Sequence, residues 1–539
     1  MPTLDWIGKK AVVQHHREVP VRLLKCDPDR SAGDPDAGNL IVQGDNLKAL
    51  KALLPFYAGK VKCVYIDPPY NTGNEGWIYN DNVNAPEVKD WLGSVVGKEA
   101  EDLSRHDKWL CMMYPRLRLL REFLAEDGFI AIQIDENEQA HLRLLLDEIF
   151  GASNWLNTIA VKMSETSGVK MSHVESRLPK LKEYVNIYSR SPSQSINPIR
   201  TLKDDEKLGK YLKYYTKFIM NPDASPQNWR VIDVRGAMTY AGLQPHIEED
   251  YRQFQLDNAD RVVYRTSNAW IARQKQSFDI EEMESPTGIR YIAWEGKQML
   301  FLKDYVEEYL GDLWLDISTI NLNKEGGVDF ENGKKPLSLL KRVLSVFADS
   351  DSLILDSFAG SGTTMHAAMQ LNREDGGSRR CILVEMEEHI ATEVTSERIR
   401  RVMQQEDAVE GEGFRYCTLG EPLFDGAGQI RGEVTYADLA HHVFFSETGR
   451  PLPPGEEAKR GPRLGEHDGR ALYLLYNGVL GDRAAGGGNV LTRATLQACG
   501  GEDAGTPRVV YAAGCRLGEA TLRRAGVTFR QLPYDLKLN

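Results

Sequence analysis

Two short apolar runs, far apart in the chain, each lead directly into a polar turn. Val61-Lys62-Cys63-Val64-Tyr65-Ile66 runs into Asp67-Pro68-Pro69-Tyr70, and Leu353-Ile354-Leu355-Asp356 runs into Ser357-Phe358-Ala359-Gly360-Ser361-Gly362. Near-continuous apolar strands of this kind are buried on both faces, which is the habit of parallel sheets covered by helices. From Gly38 the pattern alternates accordingly. Strand Asn39–Gln43 is followed by a helix with Leu47, Leu50, Leu53 and Leu54 on one face, capped by Asn46. Strand 61–66, helix 105–126, strand 129–134 and helix 136–150 come next. The rhythm fades after Gly151 and returns near Leu337, with strand 353–356, helix 363–371, strand 381–385 and helix 389–404. The fold class expected is α/β, a doubly wound parallel sheet with an insertion.

At 539 residues the chain exceeds one compact core. The expected division is an N-terminal extension (1–37), a first sheet part (38–150), an inserted domain (151–300), a second sheet part (301–405) and a C-terminal α/β domain (415–539). The last carries a strand at Val509–Ala512, a helix through Arg523 and a strand at Val527–Leu532. No run of about 18 apolar residues is present, so no membrane span is expected. The N-terminus has no signal-peptide pattern, and the seven scattered cysteines have no CxxC spacing. They read as reduced thiols in a cytoplasmic protein, with no metal site expected.

The net charge of −12 does not exclude nucleic acid, because phosphates respond to local fields. Residues 151–220 hold 12 Lys and Arg against 6 Asp and Glu. A solvated basic face is the ordinary reading of such a run. Its position between the two turns gives weight to a nucleic-acid contact.

Ligands in open α/β sheets bind beyond the carboxyl ends of strands, where Asp67 stands. An aromatic amine is a poor nucleophile because its lone pair is delocalised into the ring. The Asp67 carboxylate and the Pro68 carbonyl, held extended by Pro69, can accept both amine hydrogens and leave a more pyramidal nitrogen. Tyr70 offers an aromatic face for an extruded base. A simple turn with Tyr70 in the core is the structural alternative.

In the second turn, Gly360 and Gly362 allow close backbone approach. No Lys precedes Thr363, against a phosphate loop, and Met365 stands where a dinucleotide fingerprint has its third Gly. Asp356 suits an ammonium. Glu385 ends the next strand about 20 residues on, the offset at which an acidic side chain binds ribose hydroxyls. Ribose and an amino acid without phosphate describe S-adenosyl-L-methionine.

The two motifs, in this order and with an insertion between them, resemble the beta class of amino DNA methyltransferases over roughly residues 38–400. The resemblance implies a Rossmann-like S-adenosylmethionine-dependent methyltransferase fold with an inserted target-recognition domain. It implies a catalytic motif of Asp67, Pro68, Pro69 and Tyr70. It also implies cofactor contacts from Asp67, Asp356, Phe358, Ala359, Gly360 and Gly362, with Glu385 on the ribose. Asp45, after Gly44, matches the residue contacting the cofactor's adenine and serves equally as a helix N-terminal carboxylate. Lys335, in Lys335-Pro336-Leu337, matches a Lys-Pro segment ahead of the cofactor strand, a solvated lysine being the alternative. Asp rather than Ser at 67 implies adenine N6 as acceptor, with cytosine N4 open.

The flanks Leu4-Asp5-Trp6-Ile7-Gly8-Lys9 and Val509-Val510-Tyr511 through Gln531-Leu532-Pro533-Tyr534 resemble methylation subunits of type III restriction–modification systems. That implies double-stranded DNA as substrate, a homodimer and a helicase-nuclease partner, although the chain is short for that group. The rival readings are a dinucleotide-dependent oxidoreductase on the same Gly turn, a DNA-binding subunit without catalysis, and RNA as the substrate.

Overall fold

The computed structural model describes residues 4–72, 93–94, 104–164, 178–192, 194–320, 322–330, 333–405, 407–426, 428–452, 462–477, 484, 486, 488–500 and 505–532. The loop expected from Asn71 to Ala85 lies outside them beyond Thr72, as do Pro533 and Tyr534. The chain forms two compact units, Met1–Asn197 with Asp312–Asn539, and Pro198–Gly311.

The first unit opens with β1 (Arg22–Gly33), β2 (Leu40–Gln43), β3 (Val61–Ile66), β4 (Leu124–Ile134), β5 (Trp155–Lys162) and β6 (Lys182–Ser189). The second unit holds β7 (Arg200–Leu202), β8 (Lys217–Ile219), β9 (Val231–Asp233), β10 (Val262–Thr266), β11 (Ile280–Glu284), β12 (Arg290–Trp294), β13 (Lys297–Phe301) and β14 (Glu307–Tyr309). Its six-stranded sheet runs β11-β12-β13-β10-β8-β9, with β14 and β7 paired apart. Phe218, Val234, Val262 and Leu302 are buried in its core.

Back in the first unit, β15 (Leu313–Trp314), β16 (Leu353–Asp356), β17 (Arg380–Glu385) and β18 (Gly413–Pro422) complete a ten-stranded sheet. Its order is β1-β18-β2-β17-β16-β3-β4-β6-β5-β15. The run β18-β2-β17-β16-β3-β4 is parallel throughout. β16 is buried at every residue and β3 at all but Lys62, as strands with helices on both faces must be. The doubly wound sheet expected from sequence is therefore present. Helix Asn46–Tyr57 buries Leu47, Leu50, Leu53 and Leu54 against it. Helix Arg105–Phe123 starts at a capping box formed by Ser104 and Asp107.

Several boundaries differ from the sequence reading. Residues 151–197 do not belong to the insertion: β6 pairs antiparallel with β4, and β5 with β6, so both strands extend the main sheet. The compact insertion runs from Pro198 to Gly311. Residues 1–37 and 415–422 are likewise tied to this sheet, since β1 pairs antiparallel with β18 along its edge. That pairing sets Cys26 directly opposite Cys417, and the two form a disulfide, which corrects the expectation that all seven cysteines are free thiols. The helix expected at 136–150 is helical over Gln139–Leu146 and widens into a π turn over Asp147–Gly151. A four-stranded C-terminal sheet follows, made of β19 (Arg463–His467), β20 (Arg470–Leu475), β21 (Arg508–Ala512) and β22 (Val527–Gln531). Among the described residues no helix is long and apolar enough to cross a membrane.

Candidate active site

Four neighbouring parallel strands end in acidic side chains at the same edge of the sheet. β2 leads through Gly44 to Asp45, β17 ends at Glu385, β16 at Asp356, and β3 leads to Asp67. β16 is hydrogen-bonded to both β17 and β3, so the Gly turn and the Asp67 turn rise from adjacent strands.

Asp67 is nearly buried and sits in a dense polar cluster. Its Oδ1 lies 2.7 Å from the Tyr70 hydroxyl, and its Oδ2 lies 3.2 Å from Lys335 Nζ. The same hydroxyl is 2.7 Å from Glu183 Oε2, which also meets Lys335 Nζ at 3.2 Å. Gln133 Nε2 donates to Glu183 at 2.5 Å, and Tyr65 donates to Gln133 Oε1 at 2.5 Å. Lys335 donates to the Tyr70 oxygen at 2.8 Å and stands 4.7 Å from the centre of its ring. The indole of Trp109 donates to the Pro69 carbonyl at 2.7 Å, which fixes the turn from behind.

This cluster is short of protons. Tyr70 carries one hydroxyl proton and faces two carboxylates at the same distance, so both contacts are hydrogen bonds only when one carboxyl is protonated. Burial pushes Asp67 up to about 6, Glu183 adding to the rise while Lys335 and Tyr70 oppose it. Burial also pushes Glu183 up, but Lys335, Tyr70 and Gln133 outweigh it and hold that carboxyl below its usual value. Burial alone would lower the Lys335 ammonium; Asp67 and Glu183 reverse this and keep it charged. Asp67 is thus the carboxyl of the pair that protonates first as pH falls below about 6.

The second turn is held by its own acids. Asp356 is 2% exposed, accepts from the Phe358 N–H at 3.0 Å and the Thr364 hydroxyl at 2.6 Å, and is pushed by burial to about 7. Glu385 Oε2 accepts from the Gly360 N–H at 2.9 Å, and its Oε1 from the Glu387 N–H at 3.0 Å. Gly360 and Gly362 have φ of 51° and 77°, the left-handed region that disfavours a side chain. The Ala359 N–H donates to Val384 O at 3.1 Å, tying the turn to β17. Phe358 packs against the main core.

Asp45 is the true N-cap of helix 46–57, where Asn46 was expected. Its side chain accepts from the Lys48 N–H at 3.0 Å and meets Arg116 Nη2 at 3.1 Å. Lys335 is 7% exposed and faces Asp67, which removes the solvated-lysine reading. Tyr70 is 6% exposed, so its ring is packed in the core. Glu183 and Gln133 were missed. Both lie on strands recognisable by pattern; Gln133 comes to the site through the parallel pairing of β4 with β3, and Glu183 through the antiparallel pairing of β6 with β4.

The chain is similar to the probable type III restriction-modification enzyme HindVI Mod subunit of Haemophilus influenzae, at 30% identity over 78% of this chain and 56% of that protein. It is 27% identical to the type III restriction-modification enzyme EcoPI Mod subunit of Escherichia phage P1, over 83% of this chain and 74% of that one. With the StyLTI Mod subunit of Salmonella typhimurium it shares 29% identity over 83% of this chain and 70% of that one. The chain thus spans little more than half the length of the Haemophilus relative. The DNA methylase family model matches residues 61–396, more than half the sequence and both turns, and the chain belongs to that family.

Proposed function

We propose that this protein transfers a methyl group from S-adenosyl-L-methionine to the N6 amino group of adenine within a specific sequence of duplex DNA. The observation that carries this reading is the adjacency of the Asp67–Tyr70 turn and the Phe358–Gly362 turn on hydrogen-bonded strands β3 and β16. An amine-holding carboxylate and a turn suited to an amino-acid ligand stand next to each other. The cofactor supplies an electrophilic methyl on a sulfonium centre. Asp356, Phe358, Ala359, Gly360 and Gly362 would hold its methionine part, Glu385 its ribose, and Asp45 its adenine edge. The turn suits such a ligand: Gly362 is an αL helix cap where a Cβ would meet Thr395, and Asp356 and Glu385 put acid at its rim.

The chain's own part is to grip the acceptor. Target adenine leaves the duplex, and its amino hydrogens go to the Asp67 carboxylate and the Pro68 carbonyl. This localises the nitrogen lone pair without covalent attack. A carboxylate near pKa 6 is ionised at neutral pH and basic enough to take the proton that nitrogen loses. Lys335 stands over one face of the Tyr70 ring, and a base reaches the other only once the packing around that buried ring opens. Residues 198–311 would read the DNA sequence. Their support is a cavity of about 520 Å³ lined by Lys210, Lys213 and five tyrosines, the mixture of cations and stacking faces that nucleic acid favours. The likeness to Mod subunits extends the proposal to a homodimer working with a helicase-nuclease partner in restriction–modification.

Long-read sequencing of DNA from cells expressing the protein tests the reading. N6-methyladenine at one recurring sequence supports it. Modified cytosine instead would move the acceptor to N4, and unmodified DNA would refute it.

A further inference from the structure

Outside the Asp67 cluster, two imidazoles and a carboxylate converge where nothing above requires them. Glu138 follows the end of β4 at the residue before helix Gln139–Leu146, and its carboxylate is fully buried. His106 Nδ1 lies 2.7 Å from its Oε1 and His141 Nδ1 lies 2.8 Å from its Oε2. The two rings are 4.9 Å apart, and the ligand atoms of all three residues fall within 4.8 Å of one another. Both histidines are about a third exposed, so the cluster opens to solvent on the imidazole side.

We propose that His106, Glu138 and His141 form a site for a divalent transition-metal ion, zinc above all, that fastens the start of helix Arg105–Phe123 to the end of β4. The donor set is two imidazole nitrogens and one carboxylate without thiolate. That set suits zinc, cobalt or nickel, whereas magnesium and calcium take oxygen shells. Tetrahedral zinc with bonds of about 2.0 Å separates its ligand atoms by roughly 3.3 Å. Seating an ion therefore needs the present contacts to open by about half an ångström, within reach of two partly exposed rings. Each ring would coordinate through Nδ1 in the tautomer that carries its proton on Nε2. A water completes the shell.

A second set of bonds already orients the carboxylate, as metal-ligating groups require. Asn71 Nδ2 donates to Glu138 Oε1 and, at 3.1 Å, to the Arg105 carbonyl beside His106. Asn71 has φ of 56° and directly follows Tyr70, whose hydroxyl holds Asp67. An ion at the cluster would thus fix the carboxylate that anchors the turn carrying Asp67. The ligands come from two helices, a rigid frame for such a site.

The test uses the full chain, stripped with a chelator and titrated with zinc, then separately with magnesium, by calorimetry. One zinc per chain at micromolar affinity or tighter is expected, with no heat from magnesium. Cobalt should give the intense visible band of a tetrahedral site. His141→Ala and His106→Ala should each weaken zinc at least about tenfold, and Asn71→Gly roughly tenfold with the cobalt band retained. Wild-type protein that binds no stoichiometric zinc, or zinc affinity unchanged in His141→Ala, would overturn the proposal. The cobalt band of the wild type decides it even if a variant fails to fold. None of these readouts depends on methyl transfer.

Discussion

Lys335 Nζ lies 3.2 Å from Asp67 Oδ2 and 3.2 Å from Glu183 Oε2, one cation serving two nearly buried carboxylates. Lys335 precedes the Gly turn in sequence, and Asp67 belongs to the other turn. The contact therefore joins the proposed cofactor side of the site to its catalytic side. Taking ions out of water is unfavourable unless they are paired, so removing the shared cation leaves both carboxylates uncompensated.

Lys335→Met should accordingly lower stability by about 3–5 kcal/mol, read from urea unfolding at neutral pH. It should also raise the Asp67 pKa further, because the charge that holds it down is gone. In the wild type the rate of methyl transfer should fall about tenfold per pH unit below about 6, as the Asp67 carboxylate is protonated. In Lys335→Met that acid limb should move to higher pH. An unmoved limb would show that the rate reports some other group.

Asp356 gives a separate handle on pH. Burial raises its folded-state pKa from 3.8 to about 7, so the folded chain binds this proton more tightly than the unfolded chain does. The resulting stability is fully present below about pH 4 and is lost as pH rises towards 7. At about 1.4 kcal/mol per unit this amounts to something on the order of 4 kcal/mol. Asp356→Asn cannot ionise and should show a flatter fall in unfolding free energy between pH 5 and pH 8. Parallel wild-type and variant curves would contradict the assignment.

Gly362→Ala tests the turn itself. A Cβ there would stand 3.1 Å from Thr395 Cγ2 and 3.4 Å from its carbonyl oxygen, on a backbone with φ of 77°. The left-handed conformation alone costs about 1–2 kcal/mol with a side chain. Thermal unfolding should fall by that order, and S-adenosylmethionine affinity, measured by titration, should weaken with it.

The sequence reading reached Asp67, Tyr70 and Lys335, and the structure brings the three together. Each sits at the end of an element whose apolar pattern is local, so strand ends and the turns beyond them are visible in one dimension. Glu183 was invisible because its role depends on β6 turning back antiparallel beside β4, a pairing no periodicity records. The disulfide between Cys26 and Cys417 was hidden for the same reason, the register of β1 on β18. Gly151 misled as a boundary because β5 and the start of β6 are partly exposed, unlike the buried parallel strands, yet join their sheet. Asp45 shows a limit of another kind: one carboxylate fits a helix cap and a ligand contact alike, and its bonds to the Lys48 N–H and Arg116 display the first.

The most direct measurement is methyl transfer by Asp67→Ala, with S-adenosylmethionine binding measured on the same preparation. Loss of the amine-holding acceptor should cut the rate of transfer to DNA at least about 100-fold while cofactor affinity stays near that of the wild type. Transfer at the wild-type rate by a folded, cofactor-binding Asp67→Ala protein would contradict the account.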